Sequence, residues 1–199
     1  MCDAVIKPYF LMTATVIVAA YFLGAVPFAV VIARVFGVPD PRHYGSGNPG
    51  ATNVARSGNK AATVLTLLAD FGKGAVLVVL ADSSIMAALA GGMAVVGHVF
   101  SIFLRFKGGK GVATALGVFC AWYWLAGIVS LVAWALVFVL CRTSALASIA
   151  AMLTGVVMLI MWTPLIIAWA GCGVAALVIV RHWRNIADLL RGRERSFSR

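Results

Sequence analysis

Residues 61–81 read AATVLTLLADFGKGAVLVVLA, and residues 85–104 read IMAALAGGMAVVGHVFSIFL. Each run is close to the roughly 20 residues that an α-helix needs to cross the hydrocarbon core of a bilayer. Only the short polar stretch Asp82-Ser83-Ser84 separates the two runs. We therefore predict two membrane-spanning helices that are joined as a hairpin.

Three more long apolar blocks lie outside this hairpin, at residues 9–33, 111–141 and 143–180. The first block contains Gly24 and Pro27, which predict a kink in its helix. It is also longer than the apolar core of roughly 7–15 residues that a signal peptide has, so we expect it to be retained as the first span.

The composition of the whole chain agrees with a membrane protein. Of its 199 residues, 63% are hydrophobic and only 11% are charged, whereas a soluble domain is about half apolar and about a quarter charged. So few charges cannot cover the surface of a water-soluble protein of this size. We expect an all-α integral membrane protein in which residues 1–199 form a single polytopic domain.

Basic residues are concentrated in three segments, within residues 34–60, 105–110 and 181–199. Lys and Arg residues near the ends of spans favour the cytoplasmic side of a membrane, so we expect all three segments there. These loops account for most of the formal net charge of +10, and no nucleic-acid partner is expected. Residues 111–180 must then cross the membrane an even number of times.

Four crossings by short helices suit residues 111–180 better than two, because two crossings would need tilted spans of about 30 residues each. Turns are expected near Trp122–Gly127, at Arg142 and at Thr163-Pro164. The sequence therefore predicts about seven transmembrane helices, with the N-terminus outside and the C-terminus cytoplasmic. Five helices is the alternative.

The first basic segment contains GSGNPGATNVAR at residues 45–56, here called loop 1. Its glycines match the spacing of a dinucleotide-binding motif, but that motif needs a preceding strand and a βαβ unit, which a membrane helix does not supply. Glycines and short polar side chains let N–H groups and hydroxyls approach an anion closely, and an arginine adds a permanent positive charge. A flexible connector is the alternative, which the polar composition disfavours. The candidate ligands are Gly45, Ser46, Gly47, Asn48, Thr52, Asn53 and Arg56.

The second basic segment, RFKGGKGVAT at residues 105–114, is called loop 2. It resembles a P-loop but lacks the G-x-x-x-x-G-K-[ST] spacing, so we expect no nucleotide site of that kind. A glycine-rich turn that enters an apolar helix presents free N–H groups and the positive end of the helix dipole to an anion. An ordinary cytoplasmic turn with lysines is the alternative. The candidate ligands are Lys107, Gly108, Gly109, Lys110 and Gly111.

The third basic segment, RHWRNIADLLRGRE at residues 181–194, is called segment 3. On one continuous helix the side chains at 181, 182, 185 and 188 share a face, and Gly192 is placed to end that helix. His182 is a candidate for proton transfer or for hydrogen bonding to a phosphate, and a purely structural role is the alternative. The candidate site residues are Arg181, His182, Asn185 and Glu194.

Asp70 and Lys73 lie three residues apart in an apolar run and therefore on one helix face. Ionisable residues inside a span indicate a functional site by default. A self-neutralising pair that holds the helix against its neighbours is the interpretation we favour. We expect His98 to be structural or to support the site indirectly.

The remaining reactive residues show no pattern of a cofactor site. The six carboxylates are scattered, and the four cysteines lack the spacing of metal ligands. No G-x-S-x-G elbow marks a nucleophile. We expect no metal and no cofactor.

Loop 1, loop 2 and segment 3, together with Gly24-x2-Pro27-Phe28, Asp70-x2-Lys73-Gly74 and Gly97-His98, occur in an order that covers the whole chain. In this combination the sequence resembles the bacterial acyl-phosphate-dependent glycerol-3-phosphate acyltransferase family. The resemblance implies important roles for residues of all three segments: Ser46, Arg56, Gly108, Gly109, Lys107, Lys110, His182, Asn185 and Glu194. We assign catalysis to Ser46, Arg56, Lys110, His182 and Asn185, and substrate binding to the other candidates.

The resemblance also implies a reaction, in which a fatty acyl group passes from acyl phosphate to the sn-1 hydroxyl of glycerol 3-phosphate. The products are lysophosphatidic acid, an early intermediate of phospholipid biosynthesis, and phosphate. We expect direct attack without an acyl-enzyme, with a substrate phosphate oxygen or His182 taking the proton. The implied partners are glycerol 3-phosphate, fatty acyl phosphate and membrane lipid, and a soluble enzyme that makes acyl phosphate is a further candidate. The implied location is the bacterial cytoplasmic (inner) membrane, with the active site on the cytoplasmic face.

Two other functions suit basic loops that are half-buried in a membrane. One is a transporter or flippase for an organic phosphate or a lipid, although alternating access requires polar residues reachable from both sides. The other is an assembly factor without chemistry, which leaves the polar composition of loop 1 unexplained.

Overall fold

The computed structural model describes residues 2–193, with side chains described from residue 11 onward, and this part of the chain is helical without strands. Its α-helices are, in chain order, α1 (Cys2–Ala25), α2 (Phe28–Val35), α3 (Ala51–Val54), α4 (Lys60–Val79), α5 (Ser84–Val99), α6 (Val112–Trp122), α7 (Trp124–Cys141), α8 (Ser144–Trp162), α9 (Leu165–Arg181) and α10 (Trp183–Leu190). Single turns of 3₁₀ helix lie at Ala55–Ser57 and Ile102–Leu104.

The predicted hairpin is confirmed. α4 ends at Val79 and α5 begins at Ser84. The Ser83 hydroxyl caps α5, because it accepts a hydrogen bond from the Met86 N–H at 3.2 Å. Such a cap pairs one of the N–H groups that the first turn of a helix leaves without a partner.

The predicted kink in the first apolar block is also confirmed. α1 and α2 meet at Val26 and Pro27 with a bend of 44°. Proline has no N–H and its ring clashes with the preceding turn, so α1 does not continue through it. Pro27 instead precedes the first residue of α2, where its missing N–H costs nothing.

The predicted turns in residues 111–180 are confirmed as well. α6 gives way to α7 at Tyr123, α7 to α8 at Arg142-Thr143, and α8 to α9 at Thr163-Pro164. The left-handed φ of +55° at Arg142 ends α7.

Among the described residues, four helices are long and apolar enough to cross a membrane, namely α4, α5 with the turn after it, α7 and α8. The count reaches six if the bent pairs α1–α2 and α9–α10 are each one span. A seventh crossing would have to be α6, which has 11 residues and is therefore about 16 Å long, about half of the hydrocarbon core. The number of spans and the orientation of the termini stay predictions.

Two helix pairs cross at facing glycines. Where α1 crosses α5, a Cβ on Gly24 would lie 2.1 Å from a backbone oxygen of α5, and one on Gly97 would lie 2.2 Å from a backbone oxygen of α1. Where α4 crosses α6, Gly74 and Gly117 show the same relation, at 2.2 and 2.0 Å. Small residues let backbones approach this closely in membranes, where the hydrophobic effect does not drive helices together. These crossings fix the helices that carry the ends of loop 2.

Candidate active site

Loop 1 is organised around the side chain of Asn53, which is 1% exposed. Its amide nitrogen donates to the carbonyls of Pro41 and Tyr44, at 2.6 and 3.1 Å. Its Oδ1 accepts from the Ser46 N–H at 3.1 Å and from Arg56 Nη1 at 3.2 Å. An asparagine amide offers two donors and one acceptor oxygen with two lone pairs, so these four bonds use its capacity. Asn53 thus holds Ser46 and Arg56 in place, and the contact with substrate that we predicted for it would require breaking one of these bonds.

The backbone conformation of loop 1 favours glycine at two positions. Gly45 and Gly47 have φ values of +58° and +69°, a region that residues with a Cβ adopt rarely. A Cβ on Gly45 would also lie 2.2 Å from Asn53 Oδ1. Between them, Ser46 is exposed, and its hydroxyl accepts from the Asn48 N–H at 3.4 Å.

Loop 1 also touches the first residue of α8. The hydroxyls of Thr52 and Ser144 lie 3.5 Å apart, across 92 residues of sequence. Thr52 is one of the predicted ligands of loop 1, whereas Ser144 was not among the predicted site residues. The available signal was the short polar stretch Arg142-Thr143-Ser144 between two apolar blocks, which we interpreted only as a turn.

Loop 2 folds back along the end of α5. The N–H groups of Phe106, Gly108 and Gly109 donate to carbonyls of residues 101, 99 and 98, at 2.8, 3.1 and 3.1 Å. The last carbonyls of an α-helix have no partner within the helix, and the glycines supply partners for two of them. The prediction that the N–H groups of Gly108 and Gly109 are free to bind an anion is therefore wrong.

The two glycines are needed because the chain passes very close to α5. A Cβ on Gly108 would lie 2.1 Å from the carbonyl oxygen of His98, and one on Gly109 would lie 2.2 Å from His98 Nε2. Gly111, with φ of +86°, then turns the chain into α6. Loop 2 therefore runs back alongside the last turn of α5 as far as His98 before α6 begins. Because α6 begins beside His98 rather than at the end of α5, it is short.

Loop 2 is bound to segment 3 by two side chains. Lys110 Nζ donates to Asn185 Oδ1 at 2.5 Å, although 75 residues separate them. The guanidinium of Arg181 donates to the Gly108 carbonyl at 3.4 Å. Lys107 is exposed at the start of this stretch. The structure therefore brings together the predicted site residues of loop 2 and segment 3.

Segment 3 is not the continuous helix that we predicted. α9 ends at Arg181 and α10 begins at Trp183, with a bend of 56° between them. Asn185 and Arg181 both reach loop 2, but from different helices. The predicted end at Gly192 is confirmed, because α10 stops at Leu190 and Gly192 has φ of +65°. Glu194, which we predicted to bind substrate, lies outside the described residues.

His182 lies in the bend beyond the last apolar helix, and it is 2% exposed. Burial, together with the nearby positive charges of Lys110 and Arg181, lowers the pKa of its imidazole to about 4, against a hydrogen bond to Val178 that raises it. Its Nδ1 lies 2.8 Å from the Val178 carbonyl. Because a carbonyl only accepts, we assign the hydrogen to Nδ1, which leaves Nε2 as an acceptor.

Asp70, Lys73, His98 and Thr114, together called the buried cluster, lie beneath the loops. Lys73 Nζ lies 2.8 Å from Asp70 Oδ1, and both side chains are at most 3% exposed. Lys73 also donates to the Val26 carbonyl at the break between α1 and α2, at 2.7 Å. His98 Nδ1 lies 3.0 Å from the Thr114 hydroxyl and 3.7 Å from Asp70. The interpretation of Asp70 and Lys73 as a self-neutralising pair agrees with this geometry.

A cavity of about 10 Å³, room for about one water, lies between the buried cluster and the loops. Its lining includes Pro49 of loop 1, Gly109 of loop 2, and Asp70, Lys73 and His98. Loop 1 and loop 2 therefore adjoin at the same end of the helix bundle, where loop 2 also binds segment 3. Among the described residues, no three His, Cys, Asp or Glu side chains lie together as metal ligands would.

The described residues thus form a helical membrane protein whose cationic, glycine-rich loops lie together at one end of the helix bundle. The family model described as glycerol-3-phosphate acyltransferase matches residues 14–192. A glycerol-3-phosphate acyltransferase of Aromatoleum aromaticum is 50% identical over 186 residues, which cover 89% of this chain and 93% of that protein. One of Bordetella pertussis is 44% identical over 200 residues, covering 94% and 93%.

A solved structure gives the same result for the fold. The crystal structure of PlsY, an integral membrane glycerol 3-phosphate acyltransferase, in its glycerol 3-phosphate form has a TM-score of 0.89 and 38% identity, and the match covers 94% of this chain and 96% of that one. Its lysophosphatidic acid form has a TM-score of 0.88. The chain belongs to the glycerol-3-phosphate acyltransferase family of membrane enzymes. The resemblance to this family that we inferred from the three segments is confirmed.

Proposed function

We propose that this protein transfers a fatty acyl group from acyl phosphate to the sn-1 hydroxyl of glycerol 3-phosphate, giving lysophosphatidic acid and inorganic phosphate. Membership of the family supports glycerol 3-phosphate as acceptor, as do the glycerol 3-phosphate and lysophosphatidic acid forms of the solved PlsY. The choice of acyl phosphate as donor follows the resemblance of the sequence to the acyl-phosphate-dependent members.

The observation that carries the proposal is the bond between Lys110 and Asn185. It fixes an ammonium group of loop 2 against segment 3, close to Arg181 and buried His182. Both substrates of the proposed reaction carry phosphate, and positive side chains with fixed geometry are the groups that bind phosphate in proteins. Arg56, held by Asn53 in loop 1, is a further cation for this role.

The proposed reaction is a single displacement. The sn-1 oxygen attacks the acyl carbonyl carbon and forms the ester bond, the bond from that carbon to the phosphate oxygen breaks, and inorganic phosphate leaves with the electron pair. Holding the hydroxyl and the carbonyl in attack geometry can contribute about 7–11 kcal/mol. Because the N–H groups of Gly108 and Gly109 are bonded to α5, we assign stabilisation of the developing negative charge to Lys110 rather than to these amides.

The hydroxyl proton goes to a substrate phosphate oxygen in this mechanism. The pKa of His182 is about 4, whereas the second pKa of a phosphate monoester is about 6. The phosphate is therefore the stronger base of the two acceptors that the sequence left open. Neutral His182 accepts a hydrogen bond at Nε2 and orients a substrate hydroxyl.

Ser46 binds substrate and does not form an acyl-enzyme in this proposal. Its hydroxyl accepts from the Asn48 N–H, and among the described residues no imidazole or carboxylate lies within hydrogen-bond distance of it. Covalent acylation of Ser46, detected by mass spectrometry after mixing with acyl phosphate alone, would contradict direct attack.

The active site is proposed to lie at the cytoplasmic face of the bacterial inner membrane. The support is the positive charge of loop 1, loop 2 and segment 3. Loop 1 adjoins loop 2 at the small cavity, and loop 2 is hydrogen-bonded to segment 3. At this face the site can receive glycerol 3-phosphate from the cytoplasm and acyl phosphate from the soluble enzyme that makes it.

The test is an assay of purified protein with glycerol 3-phosphate and one of three donors: synthetic acyl phosphate, acyl-CoA or acyl-carrier protein. We expect lysophosphatidic acid from acyl phosphate alone, without added nucleotide or divalent metal. Lys110→Ala and Arg56→Ala should raise the apparent KM for a phosphorylated substrate. Lys110→Ala should also lower kcat, because it removes the charge that we assign to the transition state, and the exposed Lys60→Ala serves as matched control. Equal activity with acyl-CoA would contradict the proposal that acyl phosphate is the donor. Transport of glycerol 3-phosphate across the membrane of proteoliposomes, without formation of lysophosphatidic acid, would favour a transporter.

A further inference from the structure

The surface of α10 combines exposed apolar side chains with arginines. Trp183 and Leu190 are 59% and 85% exposed, and Arg184 and Arg191 are exposed beside them. Trp183 and Leu190 are seven residues apart, so they lie about 20° from each other on one face of the helix. The Arg184 guanidinium lies 5.2 Å from the centre of the Trp183 ring. An aromatic ring, a long aliphatic side chain and flanking cations are the residues that hold a helix in a membrane interface.

The direction of α10 agrees with a position in the membrane interface. The bend of 56° at His182 turns α10 away from the axis of α9, the last long apolar helix of the described chain. If the axis of α9 is parallel to the membrane normal, the axis of α10 makes a smaller angle with the membrane plane than with the normal. Val180 at the end of α9 is 63% exposed, so exposed apolar side chains lie on both sides of the bend, on α9 and on α10.

A second surface of α10 belongs to the site. Asn185 projects from it and accepts the hydrogen bond from Lys110 at 2.5 Å, and α10 packs against α8 and α9. One short helix therefore connects a lipid-facing surface to the ammonium group of loop 2. Any shift of α10 moves the acceptor that holds Lys110.

We propose that α10 binds anionic phospholipid headgroups at the membrane surface, and that this binding holds Asn185 in the position that orients Lys110. Arg184 and Arg191 meet the negative headgroups, while Trp183 and Leu190 enter the layer below them. The role of Lys110 in this inference rests on the proposed function. Charge complementarity and the exposed apolar side chains on both sides of the bend assign the surface to lipid rather than to a protein partner.

The expected size of the effect follows from the charge of the surface. One arginine near an anionic membrane surface shifts the binding equilibrium by about fivefold. The same surface repels phosphorylated substrates, so it raises the apparent KM regardless of α10. The informative quantity is therefore kcat at saturating substrate, which electrostatic repulsion of the substrate does not change.

The kinetic experiment uses purified full-length protein in vesicles of phosphatidylcholine, with or without phosphatidylglycerol. We expect phosphatidylglycerol to raise kcat by about threefold to fivefold in the wild type, and the rise to disappear in Arg184→Gln. Arg34→Gln removes one exposed charge near the end of α2 and should keep the rise. A rise of equal size in Arg184→Gln, or none in the wild type, would overturn the inference.

A second measurement does not depend on acyl transfer. The reactivity of Lys110 toward an amine-reactive label, read by mass spectrometry relative to exposed Lys60, reports whether Lys110 is held. We expect phosphatidylglycerol to protect Lys110 by about threefold to fivefold in the wild type and not in Arg184→Gln. Protection without product in any vesicle would disprove the proposed function and support the lipid site. Product formation with identical labelling of Lys110 in both kinds of vesicle would support the proposed function and overturn the lipid site.

Discussion

Replacing Gly108 by alanine is the most direct test of how loop 2 is built. The new Cβ would lie 2.1 Å from the carbonyl oxygen of His98 and 2.8 Å from that of Val99. Ordinary contact begins near 3.4 Å, so loop 2 must retreat from α5 by more than 1 Å. Both carbonyls belong to the backbone of the last turn of α5, and neither can rotate away as a side chain would.

The cost can be worked from the bonds that such a retreat breaks. The N–H groups of Gly108 and Gly109 donate to α5 carbonyls at 3.1 Å each. Each such bond contributes about 1 kcal/mol, so Gly108→Ala should lower the free energy of unfolding by about 2 kcal/mol. The retreat also displaces Lys110, two residues further on, and a displacement of about 1 Å at a reacting centre can lower the rate by about 10²-fold.

The assay compares Gly108→Ala with Gly92→Ala in detergent solution, by thermal unfolding and by the rate of lysophosphatidic acid formation. Gly92 lies inside α5, and a Cβ there would meet no atom within 4 Å. Gly92→Ala should therefore keep full activity and gain about 0.5–1 kcal/mol of stability. Wild-type activity and stability in Gly108→Ala would contradict this prediction, because loop 2 could not then lie against the backbone of α5.

Three further predictions test other parts of the site. Asn185→Ala should lower kcat/KM by about tenfold or more, since a hydrogen bond to a charged group contributes about 1.5–3 kcal/mol. An unchanged kcat/KM in steady-state kinetics would contradict the role of Asn185 in holding Lys110. Asp70→Asn should lower stability by about 3–5 kcal/mol, because it leaves the charge of Lys73 buried without a counter-ion. Adding Lys73→Met should recover much of this loss in thermal unfolding, and purely additive losses would show that the two residues do not interact. Because the pKa of His182 is about 4 in the folded protein and about 6.5 in an unfolded chain, the unfolded state takes up the proton first, and stability falls as the pH drops from about 6.5 toward about 4. His182→Gln should flatten this fall, and unfolding curves with the same pH dependence as the wild type would exclude it.

The sequence predicted the helices well where the signal is local. Long apolar runs, the polar turn at Asp82-Ser83-Ser84, Pro27 and Thr163-Pro164 each act on the backbone within a few residues, and the structure places helix ends or bends at each of them. Segment 3 was predicted less well. No proline or glycine marks the bend at His182, and local patterns therefore predicted one helix where the structure has two.

Loop 2 shows why the glycines of the site were misinterpreted. Glycine-rich turns before a helix often bind anions, and the sequence does not reveal which N–H groups already have partners. In the structure Gly108 and Gly109 pair with carbonyls of α5, and their missing side chains make room for His98. The same holds for Asn53, whose capacity for hydrogen bonds is used inside loop 1.

From the sequence alone it followed that this chain is a helical membrane protein, where its helices turn except at His182, and which family it resembles. These properties depend on the hydrophobicity of continuous runs and on short signatures, both of which are read along the chain. Three features of the site depend on long-range packing instead: the bond from Lys110 to Asn185, the contact of Thr52 with Ser144 and the burial of His182. These hydrogen bonds join residues that are 75 or 92 positions apart, and no local pattern along the chain shows which helix ends the packing brings together.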